Sequence, residues 1–152
     1  MVTYKEYSDM RQKEFNALPI FWAFSDEQFW EGAKKHGIKY KKDLKDVCRI
    51  TNGGFMRKDE VHLLHEWLSM DELPEMMKDY DFAYDAFFYE MGNHEYHINW
   101  QGDWDVLSVF FDNVEYHDEW TPKQYIDSVG AEFDTRRAYL QARIDYMENA
   151  NC

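Results

Sequence analysis

The chain has 152 residues, a formal net charge of −13, 45% hydrophobic residues and 18% aromatics. A chain of that length can bury roughly 68–70% of its unfolded surface in one domain. So many bulky apolar groups exclude a disordered acidic tail, which lacks the side chains needed to offset chain entropy.

The predicted elements begin with a capping box, Thr3 and Glu6, followed by Tyr7, Met10, Glu14, Phe15 and Leu18 at helical spacing. This first helix reaches about Ala17, and Pro19 stops it. Ile20 to Phe24 is a short apolar run that fits a buried strand or a connector. Ser25 and Gln28 form a second capping box, which opens a helix closed by Gly37. Lys39, Lys41, Lys42 and Lys45 lead to Val47–Ile50, a strand or a short helix, and Asn52-Gly53-Gly54 makes a turn.

Asp59 is placed to cap a third helix with Val61, Leu64 and Leu68 facing inward and His65 a further candidate for that face. Asp71 is placed to cap a fourth, broken near Pro74, through Met76, Tyr80, Tyr84 and Phe87 to about Glu90. Gly92-Asn93 ends it. Glu95–Trp100 and Val106–Phe111 then read as two strands joined across Gln101–Asp105, a hairpin near residues 95–111. Thr121-Pro122 opens a last helix running to about Asn149, with Gly130 weakening its middle. The expected fold is α+β, a single domain over 1–152, with N- and C-terminal helices packed on a small antiparallel sheet that includes this hairpin.

Two cysteines, Cys48 and the terminal Cys152, form no CxxC pattern and no disulfide framework. No apolar run approaches the roughly eighteen residues of a membrane span, and the N-terminus lacks the apolar core of a signal peptide. The chain therefore reads as a cytoplasmic protein that needs no membrane.

Charge is unevenly distributed. Asp59 to Trp120 carries seventeen Asp and Glu against one base, Lys78, whereas residues 1–58 sum to +4 and residues 121–152 to −1. Clustered like charge destabilises a compact state through self-repulsion unless solubility or binding compensates. Helical acids three or four residues apart approach the phosphate density of duplex DNA, about one charge per 1.7 Å of axis. Glu66, Asp71, Glu72, Glu75, Asp79, Asp81 and Asp85 are accordingly the candidate contacts for a basic protein partner. The competing reading, an ordinary solvated face that serves solubility, fits composition alone better.

Asn16-Ala17-Leu18-Pro19-Ile20-Phe21-Trp22-Ala23-Phe24-Ser25-Asp26-Glu27-Gln28-Phe29, together with Asn93-His94-Glu95-Tyr96, resembles uncharacterised small proteins encoded by bacteriophages and gut-bacterial mobile elements. The resemblance implies a genomic setting and no chemistry. Small acidic phage proteins often bind and block host machinery, so it implies an inhibitor of a nucleic-acid enzyme or a defence complex.

A metal-dependent enzyme is the alternative. His62, His65, His94 and Glu95 lie in two short clusters rich in imidazole and carboxylate, the donors of zinc and iron sites. Neither cluster matches HExxH, and histidines on one strand at His94 and His97 face opposite ways. The plainer reading keeps them as surface or capping residues, with no metal and no cofactor. Cys48 has no neighbouring histidine, and Gly53-Gly54 lacks the Lys-Ser/Thr of a phosphate loop. Phe82, Phe88 and Tyr89 lie off the Tyr80–Tyr84–Phe87 stripe, which leaves room for an aromatic interface or a homodimer. The basic cluster Lys34 to Lys45 is expected to face acids of its own chain or of a second copy rather than nucleic acid.

Overall fold

The computed structural model describes residues 2–150; Cys152 lies outside them. The protein is α+β, with a three-stranded antiparallel sheet among its helices. Backbone contacts group it into two compact units. One takes the chain up to Asp9 together with the chain from Glu72 on; the other is Met10–Asp71.

Helix α1, Tyr4–Asn16, starts where the capping box predicts. The Glu6 N–H donates to Thr3 Oγ1 at 3.1 Å, and the Thr3 N–H donates to Glu6 Oε2 at 3.4 Å. In the Met10–Asp71 unit, β1 (Phe21–Trp22) precedes α2 (Asp26–Lys35), and β2 (Val47–Thr51) and β3 (Gly54–Arg57) complete a sheet of order β1-β3-β2. Ser25 caps α2 through the Gln28 N–H at 3.2 Å, and Gly37 leaves it with φ +81°. Phe21, Ala33 and Ile38 form the buried centre, with Phe29, Trp30, Val47 and Phe55 packed around them. Helix α3 (Val61–Ser69) closes this unit. The Arg11 guanidinium lies 3.9 Å over the Trp67 ring and donates to the Trp67 carbonyl at 2.9 Å.

The other unit holds α4 (Leu73–Met76), α5 (Tyr80–Asn93), α6 (Gly102–Phe110), α7 (Pro122–Ser128) and α8 (Phe133–Ala150). Helices α5 and α8 make its closest pairing. Ala83 and Ala86 on one and Ala138 and Ala142 on the other are all fully buried. Such small side chains let two helix backbones approach. Phe87 meets Tyr139 edge to face at 5.0 Å in the space they leave.

Several expectations are corrected. The hairpin is not at 95–111: it is β2–β3, turning through Asn52-Gly53, where Gly53 has φ +81° and the register slips between Arg49 and Thr51. Residues 95–101 instead form turns, and Val106–Phe110 belongs to α6. Val106 and Leu107 are buried with Phe110 and Phe111 packed beside them, which is helical spacing. Asn99 spends its amide locally. Its Oδ1 accepts from the Gln101 N–H at 2.9 Å, which takes that backbone donor out of any ladder, and its Nδ2 donates to Asp105.

The sheet is covered by α2, and the C-terminal helix packs on α5. That last helix is two, because Gly130 at φ +73° breaks it between α7 and α8. Helix α5 is capped by Asp79, not Asp71: the Phe82 N–H donates to Asp79 Oδ2 at 3.0 Å. At its other end, Glu95 takes φ +49°, the Tyr96 N–H bonds the Met91 carbonyl at 3.0 Å, and the Glu95 N–H bonds the Gly92 carbonyl at 3.4 Å. This is a Schellman end with glutamate in the left-handed position, so Gly92 is not the terminating residue.

Candidate functional site

All seven candidate acids are exposed. Glu66 and Asp71 belong to the Met10–Asp71 unit; Glu72, Glu75, Asp79, Asp81 and Asp85 belong to the other. Asp81 and Asp85 stand four residues apart on α5 and so share a face. Together with Val2, Thr3 and Phe82 they line a shallow depression.

Three of these five carboxylates also hold the fold. Asp79 caps α5. Asp85 Oδ2 accepts the Tyr4 N–H, one of the donors that the first turn of α1 leaves without a helical partner. Glu75 Oε2 lies 2.9 Å from Lys78 Nζ. The carboxylate of Glu75, then that of Glu132, raises the Lys78 pKa. The lone base of the acidic segment is therefore partly neutralised in place. Among the described residues no donor bonds the carboxylate of Glu72 or Asp81, and these two present the acidic surface most directly.

The histidines are dispersed. His62 and His65 are exposed on α3. His94 is the C-cap of α5 with Nε2 3.4 Å from Glu90 Oε2, and His97 Nδ1 lies 3.3 Å from the Tyr146 hydroxyl. Glu95 serves the helix end. Among the described residues no three His, Cys, Asp or Glu side chains come together as a metal-binding group. Cys48 is a free, half-buried thiol on β2.

A second polar system was invisible to sequence spacing. Tyr96 and Tyr139 both donate to Asp103 Oδ1, Tyr96 at 2.6 Å, and Arg143 Nε donates to the Tyr96 hydroxyl at 3.1 Å. Burial, then the Asp103 carboxylate, holds the Tyr96 pKa well above the ordinary phenol range. Burial does the same for Tyr139, followed by Tyr96 and Asp103. Tyr4 donates to the buried Glu90 at 2.8 Å, and its phenol is likewise pushed up by burial and then by that hydrogen bond. Tyr84 donates to Asp145 at 2.6 Å, which takes its pKa to about 12. These phenols are hydrogen-bond donors locked in their neutral form, a structural use of tyrosine.

The aromatic residues left off the helical stripe are mostly core. Phe82 is buried, and Phe88 packs on Tyr84 and Tyr146. Only Tyr89 of the three is exposed, and its ring meets Tyr4 at 5.6 Å.

The fold and this surface define a helix-rich α+β protein whose exposed chemistry is dominated by carboxylates. The chain belongs to the family described as Family of unknown function (DUF7659), which matches residues 3–119, from the start of α1 past the end of α6. Searches of curated proteins and of solved structures found no match. Among the described residues no helix is long and apolar enough to cross a membrane.

Proposed function

We propose that this protein is a non-enzymatic, cytoplasmic interaction protein that occupies a basic site on a nucleic-acid enzyme or defence complex and blocks it by charge competition. One observation carries the reading. Between Lys78 and Lys123 the chain has eleven Asp and Glu and no Lys or Arg, on a folded unit that holds Glu72, Glu75, Asp79, Asp81 and Asp85 at its surface. A patch of that sign attracts Lys/Arg grooves built for phosphate and repels nucleic acid and anionic lipid. The resemblance to bacteriophage and mobile-element proteins favours a host enzyme as the target. The alternative, a metal-dependent enzyme at His62, His65, His94 and Glu95, lacks a convergent ligand group among the described residues.

The test is capture of partners from a bacterial lysate at about 50 mM and about 200 mM salt, a range over which charge-driven contacts weaken steeply. It is followed by competition of the captured enzyme with duplex DNA. The expected result is a basic nucleic-acid enzyme that elutes with salt and loses DNA when this protein is added. Capture of nothing, or of a partner indifferent to salt and DNA, contradicts the proposal.

A further inference from the structure

Outside the acids on α4 and α5, the same unit exposes an aromatic pair. Trp100 is 77% exposed and Tyr116 39%, and their rings meet edge to face at 5.7 Å. Trp104, packed against the core, meets Tyr116 from another direction at 6.3 Å and is fixed by its Nε1–H, which donates to the Val114 carbonyl at 2.9 Å. Tyr116 is thus set between an anchored indole and an exposed one, so little side-chain freedom remains to be lost on binding. Large rigid aromatics of this kind are the usual anchors of protein interfaces.

The surroundings specify the partner's charge. From Glu95 to Glu119 the chain has seven Asp and Glu and no Lys or Arg; Asp103 is taken up by Tyr96 and Tyr139 and Asp105 by Asn99, which leaves the acids beside Tyr116, Glu115, Asp118 and Glu119, exposed. The phenol of Tyr116 is raised by desolvation, then by Asp118, Tyr125 and Glu119, so two carboxylates act on the Tyr116 end of the pair. His117 lies 3.2 Å from Glu115 and 3.8 Å from Glu119, which brings both carboxylates to the same turn. An anionic lipid or a nucleic acid is repelled here, and a second copy would bring its own net −13.

We propose that Trp100 and Tyr116 seat an arginine side chain of a basic polypeptide partner, with its guanidinium against the rings and its charge matched by the surrounding carboxylates. The assignment rests on the reading that this protein engages a basic partner, and adds where and through which residue type it does so. Arginine is favoured over lysine because the guanidinium is planar, stacks on aromatic faces and is more weakly hydrated than an ammonium.

The test titrates the full chain with hexa-arginine and hexa-lysine peptides at low salt, read by tryptophan fluorescence and calorimetry. Hexa-arginine should bind more tightly than hexa-lysine. Trp100→Ala should weaken hexa-arginine binding about tenfold, the scale of a lost aromatic anchor. Tyr116→Phe keeps the ring and should bind as the unaltered protein does. Trp100 is exposed, so circular dichroism of Trp100→Ala should match the parent. Equal hexa-arginine affinity in Trp100→Ala overturns the seat while leaving the basic-partner reading in place. Failure of the unaltered protein to bind either peptide overturns both.

Discussion

Asp85 Oδ2 accepts a hydrogen bond from the Tyr4 N–H at 2.9 Å, joining α5 to the first turn of α1 across 81 positions. A carboxylate read from the sequence as a partner contact is therefore also an anion at a helix N-terminus.

Asp85→Asn should cost about 0.5–1 kcal/mol of stability, the usual range for a charge at a helix end. Asp85→Ala, which leaves the Tyr4 N–H without its acceptor, should cost about 1–2 kcal/mol. Urea unfolding of the two variants checks this ordering. An effect below the noise for both means that the bond contributes nothing net. Asp81→Asn, on the same face without such a bond, should change stability by less than about 0.5 kcal/mol.

Alkaline pH should unfold the protein through its tyrosines. Tyr4, Tyr96 and Tyr139 have folded pKa values raised above the ordinary one, chiefly by burial. The unfolded chain sheds these protons near pH 10 while the folded chain keeps them. Above that pH the unfolded state binds fewer protons, so stability falls as pH rises; below it the contribution is fully present. Thermal unfolding from neutral pH upward, with tyrosinate absorbance, should show stability level until about pH 10 and falling beyond. The Tyr96→Phe, Tyr139→Phe double variant should flatten that fall. At neutral pH it should cost about 1–3 kcal/mol, because Asp103 loses both phenol donors.

Glu95→Gly should stabilise the protein by about 0.5–1 kcal/mol, since a non-glycine residue in the left-handed region costs roughly 1–2 kcal/mol and glycine recovers only part of it through its own chain entropy. Glu95→Val should destabilise it. Denaturant midpoints decide the matter, and a Glu95→Gly variant no more stable than the parent means that the glutamate side chain offsets its own backbone cost.

The helix starts at Thr3, Ser25 and Thr121 were legible because a cap is a local device: an oxygen at one position and a donor three residues on. The region 95–111 misled because Val106–Phe111 is a short apolar run whose period cannot separate strand from helix, and because Glu95 ends a helix without the glycine that normally marks the place. The true hairpin lay at Asn52-Gly53, which the sequence marked only as a turn. Of the candidate site, the exposure of Glu72, Asp81 and their neighbours followed from their charge. What Asp79 and Asp85 hold did not, and neither did the pairing of Tyr96 and Tyr139 on Asp103, because Tyr139 and Asp103 are 36 positions apart.

Phe87→Ala should remove about 3–5 kcal/mol, the range for truncating a buried aromatic ring. Phe87 is fully buried between α5 and α8 and touches both Phe110 and Tyr139. Calorimetry reads the loss directly. A cost near 1 kcal/mol would mean that the neighbouring helices collapse into the space.

Under the proposed function, carboxylates on this surface compete for a basic site. A comparison of affinity for the captured enzyme across a salt series decides it, for the unaltered protein and for a Glu72→Gln, Asp81→Asn variant, which spares the carboxylates of Asp79 and Asp85 that accept helix-end hydrogen bonds. The variant should bind at least about tenfold more weakly at low salt, with a shallower dependence on salt and unchanged thermal stability. Equal affinity and an equal salt slope for the two proteins contradict it.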